Sequence, residues 1–280
     1  MRYRIEHRTS YHYARPAALT RQLLRLTPRP DAHQRLLHWH LRVPGALDAL
    51  ADAYGNAGHL HVIDGEHRSI RIDAVGEVEI DPLRDGRLEE VGELPPAVFL
   101  ATTPLTDVDE RLGELVRRHL RGRSSAHLFE FALAVRAAIN YRPGTTNVRT
   151  SAVDALALGQ GVCQDHAHAF IAGCRAAGIP ARYVSGYYHR AGQAREASSH
   201  AWADAWVEDD GWVSIDITHE CFAGQSLCRL AVGRDYESAS PVRGVRVGGG
   251  AEAMEATVLI EAATAGPDRT KPEFREEVAA

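Results

Sequence analysis

The run Gly161-Val162-Cys163-Gln164-Asp165-His166-Ala167-His168-Ala169-Phe170-Ile171-Ala172-Gly173-Cys174 decides the fold. Cys163, Ala167, Phe170, Ile171, Cys174 and Gly178 fall at i, i+4, i+7, i+8, i+11 and i+15, which is one stripe of an α-helix. Gly178 and Pro180 then stop it. Gly161 suits a tight entry turn in which the backbone must come close to a neighbour. The spacing therefore predicts that Cys163 lies in the first turn of a helix packed on a core, with Cys174 buried three turns deeper.

That position has chemical meaning. The thiolate, not the thiol, is the nucleophile; a free cysteine ionises at about pH 8.5, and a helix N-terminus or a nearby imidazolium lowers this. The open N–H groups of the first turn can also hold a developing oxyanion. Downstream, Ala181 to Tyr188 reads as a strand. His200, Trp202, Asp204 and Trp206 then alternate with Ala201, Ala203, Ala205 and Val207. Asp209-Asp210-Gly211 makes a turn, and Trp212 to Thr218 returns as the second arm of a hairpin. His200 and Asp216 are candidates for base and orienter beside a Cys163 nucleophile.

Hairpin register tests that assignment. A loop of two or four residues would set His200 opposite His219 and turn Asp216 to the other face. An odd loop, Glu208-Asp209-Asp210 closed by Val207 and Gly211, sets Asp216 opposite Trp202 and diagonal to His200, about 7–8 Å away at Cα. An odd loop or a bulge near Gly211 is therefore expected.

Working outward, residues 1–80 read as β, best along Ser69–Ile80, where Ile70, Ile72, Ala74, Val78 and Ile80 alternate with polar neighbours. Asp81-Pro82, Pro95-Pro96 and Pro104 mark a stiff linker. Helices follow: one opened by Asp107 with Glu110, one from Ser125 burying Leu128, Phe131, Val135 and Ile139, and a short one at Ser151 with Asp154.

At this point the residues carry a resemblance. Gly161 to His168, His200-Ala201-Trp202 and Gly211-Trp212-Val213-Ser214-Ile215-Asp216 together resemble the core of the bacterial transglutaminase-like proteins. Pro143-Gly144-Thr145, Ala181 to Tyr187, Ala231 to Tyr236 and Pro241 to Gly244 are also similar to family segments. The stretch from Tyr3 to Pro28 resembles the β-rich domain that precedes that core. The resemblance covers most of the chain, to about residue 260. It implies an α+β fold: a papain/transglutaminase-like core, with a helix bearing the cysteine against an antiparallel sheet, preceded by a β-sandwich-like N-terminal domain. It also implies cysteine-dependent amide chemistry without metal or organic cofactor. One departure is Ile217-Thr218-His219 after Asp216, where the family usually shows Pro-Thr-Asn.

The expected organisation is a β-rich domain over 1–85, a linker over 86–105, a core over 106–262 and a polar, mobile tail over 263–280. The expected activity is that of a cysteine-dependent amide hydrolase or acyltransferase acting on peptide or protein amides through a Cys163 thioester. The alternatives are a protein-glutamine transglutaminase and a non-catalytic peptide-binding module. The catalytic residues would be Cys163, His200 and Asp216, with no cofactor and no metal. Cys163-x-x-His166-x-His168 is a poor ligand set, because i and i+3 share a helix face and i+5 does not; both histidines read as packing or rim residues. Asp165 reads as a cap, Trp202, Trp206 and Trp212 as core, and Gln160 and Tyr141 as weak candidates for a second oxyanion donor.

Composition bounds the rest. The 280 residues are 45% hydrophobic and 25% charged with a net charge of −5. These are values of a soluble globular protein with no pull toward nucleic acid or anionic membrane. Lys271 is the one lysine. The N-terminus lacks the apolar run of a signal peptide, so a cytoplasmic protein with reduced Cys163, Cys174, Cys221 and Cys228 is expected. Nothing in the sequence points to an oligomeric state.

Overall fold

The computed structural model describes residues 1–89, 94–189 and 198–263. In chain order the first strands are Arg2–Leu24 (β1), Gln34–Arg42 (β2), Ala46–Ala51 (β3), Ala57–Ile80 (β4) and Arg87–Leu88 (β5). Then come Glu110–His119 (α1), Ser125–Ala138 (α2), Asn140–Tyr141 (β6), Ala152–Leu158 (α3), Gln160–Gly161 (β7) and Cys163–Ala176 (α4). The chain continues through Ala181–Tyr188 (β8), Ser198–Val207 (β9), Gly211–Asp216 (β10), Cys221–Phe222 (β11) and Leu227–Gly233 (β12). Tyr236–Ala239 (α5), Val242–Gly248 (β13) and Glu252–Ala262 (β14) complete it.

The N-terminal sheet is built on one long antiparallel ribbon, β1 against β4. Tyr3, Ile5, His7 and Thr9 are buried while their neighbours face outward, the period-2 pattern of a strand with one covered face. The ribbon turns back on itself. Thr9 pairs with Ile72 and Leu24 with His59, about fifteen residues apart along β1, or roughly 50 Å if straight. Yet Leu24 and Ile72 share one core cluster with Tyr13 and Ile70. The bend falls where the register slips, between His12 and Leu19. A single bent sheet thus makes a sandwich-like body.

Two strands expected in the core belong here instead. β13 and β14 both pair with β1, β14 along Tyr3–Tyr13 and β13 along Ala17–Leu24. The apolar alternation of 242–262 fits either sheet, and it fills the side of β1 that β4 leaves open. The stretch expected as a linker is likewise built in. β5 pairs with Trp212 and Val213 of β10, and Phe99 is buried with Leu88 and Trp212. Its prolines start short 3₁₀ turns, Pro96–Leu100 and Pro104–Thr106, rather than a free spacer. Asp109, not Asp107, caps α1 by accepting from the Leu112 N–H at 2.9 Å. The tail from 264 onward lies outside the described residues.

The core is a mixed layer of helices on an antiparallel sheet ordered β11-β10-β9-β8-β12. Ala201, Ala203, Ala205, Val213 and Ile215 face the helices and share their core with Phe131, Phe170, Ile171 and Cys174. α4 is buried nearly all round and is the helix that packs most on β9. Trp202, one residue out of phase with those alanines, fills a separate cluster with Val184, Leu227 and Val232.

The open edge of β12 is closed by the N-terminal half. The Gln34 amide donates to the Arg229 carbonyl and accepts from the Arg229 N–H, both at 2.8 Å. Asn56 does the same for Val232 at 2.7 and 2.8 Å. Two buried side-chain amides thus stand in for a missing strand. No helix among the described residues is long and apolar enough to cross a membrane.

Candidate active site

Cys163 is the first residue of α4 and is half-buried. The entry turn is held by Asp165. Its Oδ2 accepts from the Val162 N–H and from the Thr146 hydroxyl, both at 2.7 Å. A Cβ on Gly161 would stand 2.7 Å from that carboxylate oxygen, so the position two residues before Cys163 favours glycine. Burial pushes the Asp165 carboxyl up from its ordinary value, against the pull of these hydrogen bonds. The N–H groups of Cys163 and Gln164 belong to the first turn, where a helix offers them no partner.

β9 and β10 close on the three-residue loop 208–210, with Gly211 opposite Val207 and Ile215 opposite Ala203. This is the odd register, and Gly211 supplies the positive φ of 74° that it needs. Continued by one residue it sets Asp216 beside Trp202 and diagonal to His200. His200 Nε2 donates to Asp216 Oδ2 at 2.8 Å. The Cys163 sulfur lies near enough to the same imidazole to help raise its pKa. The structure therefore brings together all three residues singled out by the sequence.

The pair is buried, His200 to 7% exposure and Asp216 to 0%. Burial alone would favour neutral forms of both. The Asp216 carboxylate and the Cys163 sulfur outweigh it and raise His200 from 6.5 to about 10. Conversely, His200 and then His219 hold the Asp216 carboxyl well below the usual range. Asp216 thus favours the charged imidazole, the form His200 reaches when it takes the thiol proton.

Sequence reasoning left His219 at the cleft edge without a partner. It belongs to the same cluster: its Nδ1 donates to Asp216 Oδ2 at 2.7 Å and its backbone N–H to Oδ1 at 3.2 Å. The departure from Asn was the available signal. A second omission lies on the same hairpin face. Asp204 is buried between Arg182 Nε at 2.8 Å and Arg229 Nη2 at 2.7 Å, and Arg229 also meets Asp31 at 2.9 Å. Their even spacing with His200 and Trp202 marked the face but not the partners.

His166 and His168 do not converge on Cys163. His166 Nε2 donates to the Ile139 carbonyl and its Nδ1 accepts from the Thr218 hydroxyl, both at 2.9 Å. His168 Nε2 accepts from the Tyr236 N–H at 3.1 Å. Burial lowers both to about 4, so both are neutral. Gln160 accepts from Arg142 at 3.4 Å, while Tyr141 is exposed, its phenol raised by partial burial and then by the nearby Cys163. Trp202 lies beside His200 with ring centroids 6.0 Å apart. Trp206 and Trp212 pack on each other edge-on. His200, Asp216 and His219 offer donor atoms within 4.8 Å of one another, but these atoms are already joined by hydrogen bonds.

A cysteine on a helix N-terminus, near a histidine that is bonded to an aspartate across an antiparallel sheet, defines a papain-like α+β protein. Residues 119–217 match the model of the transglutaminase-like superfamily, and residues 3–79 match that of the bacterial transglutaminase-like N-terminal region. The chain belongs to this family. An uncharacterized protein of Mycobacterium leprae is 30% identical over 282 residues, spanning 92% of this chain and 98% of that one. A stretch of 67 residues is 39% identical to part of a protein-glutamine gamma-glutamyltransferase of Pseudomonas aeruginosa, covering 10% of that protein. The fold is similar to that of a candidate cysteine protease of Cytophaga hutchinsonii, with a TM-score of 0.75 at 21% identity over 99% of this chain and 95% of that one. Membership supports a papain-like, cysteine-dependent activity.

Proposed function

We propose that the chain is a cysteine-dependent amidase or peptidase that opens peptide or protein amides through a thioester on Cys163. The observation that carries this reading is the His200 imidazole, bonded to Asp216 at 2.8 Å and close enough to the Cys163 sulfur to feel its charge. His200 takes the thiol proton, and the thiolate adds to the amide carbonyl carbon. The oxyanion forms beside the Cys163 and Gln164 N–H groups. His200 then returns the proton to the nitrogen as the C–N bond breaks, and ammonia or an amine leaves. Water, deprotonated by His200, hydrolyses the thioester and restores the thiol. Asp216 orients the imidazole and stabilises its charged form.

Amine transfer is the second reading, favoured by the 67-residue likeness to the Pseudomonas glutamyltransferase. There an amine, rather than water, takes the acyl group. The test is ammonia release from glutamine-containing peptides with and without added amine. Release that needs Cys163 and forms free acid supports hydrolysis, and incorporation of the amine supports transfer. Release that is unchanged in Cys163→Ala would defeat both.

A further inference from the structure

We propose that His219 is a positioning residue: it and His200 divide the same oxygen of Asp216, so that His219 sets how firmly the carboxylate holds the reacting imidazole. This rests on the reading of Cys163 and His200 given above. Oδ2 of Asp216 receives His200 Nε2 at 2.8 Å and His219 Nδ1 at 2.7 Å. A carboxylate oxygen has two lone pairs, so Oδ2 is filled by the two rings. Oδ1 is fixed separately by the His219 backbone N–H. With Nδ1 donating, Nε2 of His219 is the nitrogen free to face the partly exposed side of the ring.

The ring packs against two others that also touch each other, Tyr188 and His200 being 5.6 Å apart between centroids. Tyr188 stacks on it at 4.0 Å between centroids with an 18° tilt, and the His200 ring stands 4.9 Å away. The turn that carries it is tied to the cysteine helix through Thr218 and His166, one helical turn beyond Cys163. Flipping the ring would put Cδ2 where Nδ1 now donates and forfeit the short hydrogen bond. The titratable groups facing His200 are Cys163 and His166 from α4, Tyr188 from β8, Asp216 from β10 and His219 from the following turn. His166 is held neutral, which leaves Asp216 as the carboxylate facing His200 among the described residues, and its charge is shared.

Removing the His219 donor has two consequences. The carboxylate loses one of its anchors, and its remaining charge serves His200 alone. The test is the rate of Cys163 alkylation by iodoacetamide across pH 5–11, followed by mass spectrometry in the full-length chain. Wild type, His200→Ala, His219→Leu and His219→Asn are compared, each checked for folding by its melting transition. In His219→Leu the inflection governed by His200 moves to higher pH by about half a unit or more, since a pKa follows the charge on its partner. His219→Asn, whose amide N–H can reach Oδ2, returns it toward the wild-type position. If His219→Leu and wild type give superimposable profiles, His219 only fills the cleft edge and the proposal falls. If the wild-type profile already matches His200→Ala, the underlying Cys163–His200 reading falls instead. Should His219→Leu fail to fold, a His219→Asn profile that departs from wild type as far as that of His200→Ala would equally overturn the proposal.

Discussion

Asp216 and Asp204 stand on one face of one hairpin, both with 0% exposure, and they are used in opposite ways. Asp204 lies between two arginines, whose charge never titrates near neutrality. Arg229, with Asn56 and Gln34, also ties the core sheet to the N-terminal half. Asp216 lies between two histidines at the end where α4 delivers Cys163. Burial resists the charge on both carboxylates, and in both the cationic or hydrogen-bonding partners win. The difference teaches that partner chemistry, not burial, separates a fastener from a working group.

The largest effects should fall on different measurements. Asp216→Asn is expected to lower kcat by roughly 10³–10⁴-fold, because the imidazole loses the acceptor that sets its tautomer. Its melting temperature should fall as well at neutral pH, because His200 loses the partner that stabilises its charged form. Asp204→Asn leaves Arg182 and Arg229 buried with their shared anion gone, and should cost about 3–5 kcal/mol in urea unfolding, while the folded fraction keeps its activity. The comparison breaks if both variants lose stability and activity alike.

Acid and base sharpen it further. His200 has a raised value, so its contribution to stability is complete below about pH 6.5 and is lost as pH rises through about 10. Asp204, held well below the usual carboxylate range, contributes no slope in that window. Wild-type stability should therefore decline between pH 7 and 10, and Asp216→Asn should flatten that limb. On the acid side, His7, His166 and His168 are lowered to about 4 by burial, so their contribution is present above about pH 6.5 and lost as pH falls toward 4. Urea midpoints measured across pH 4–10 check both limbs. The smallest effect expected is that of Asp165→Ala, about 1–2 kcal/mol in stability for a lost cap, with a fall in activity from a loosened Cys163 turn.

Much of this was legible in the sequence because it rests on local periodicity. The stripe from Cys163 to Gly178 placed the helix. The alternation of His200, Trp202 and Asp204, with Gly211 as the turn, placed the hairpin and required the odd register that the structure has. Non-local choices were not legible. The alternating apolar residues of β14 carry no sign of which sheet edge they join, and they went to β1 rather than to the core. Prolines at 95, 96 and 104 read as a spacer, while Phe99 among them is buried against Trp212. The ion pairs of Asp204 join residues from positions 31 to 229, and no spacing rule connects those. His219 was visible as an oddity, but its bond to Asp216 depends on a turn whose geometry is fixed by His166 and Thr218.

The central claim is that Cys163 is the thiol made reactive by His200, and Cys221 is the internal control. Cys174 and Cys228 are buried, and burial pushes both thiols up. Cys221 is exposed, yet partial burial of its thiol and then Asp216 push it up to about 11. Site-resolved iodoacetamide labelling at pH 7 should modify Cys163 at least tenfold faster than Cys221, and His200→Ala should slow Cys163 at least tenfold while leaving the Cys221 rate unchanged. Equal labelling of Cys163 and Cys221, or a Cys163 rate indifferent to His200→Ala, would contradict the account.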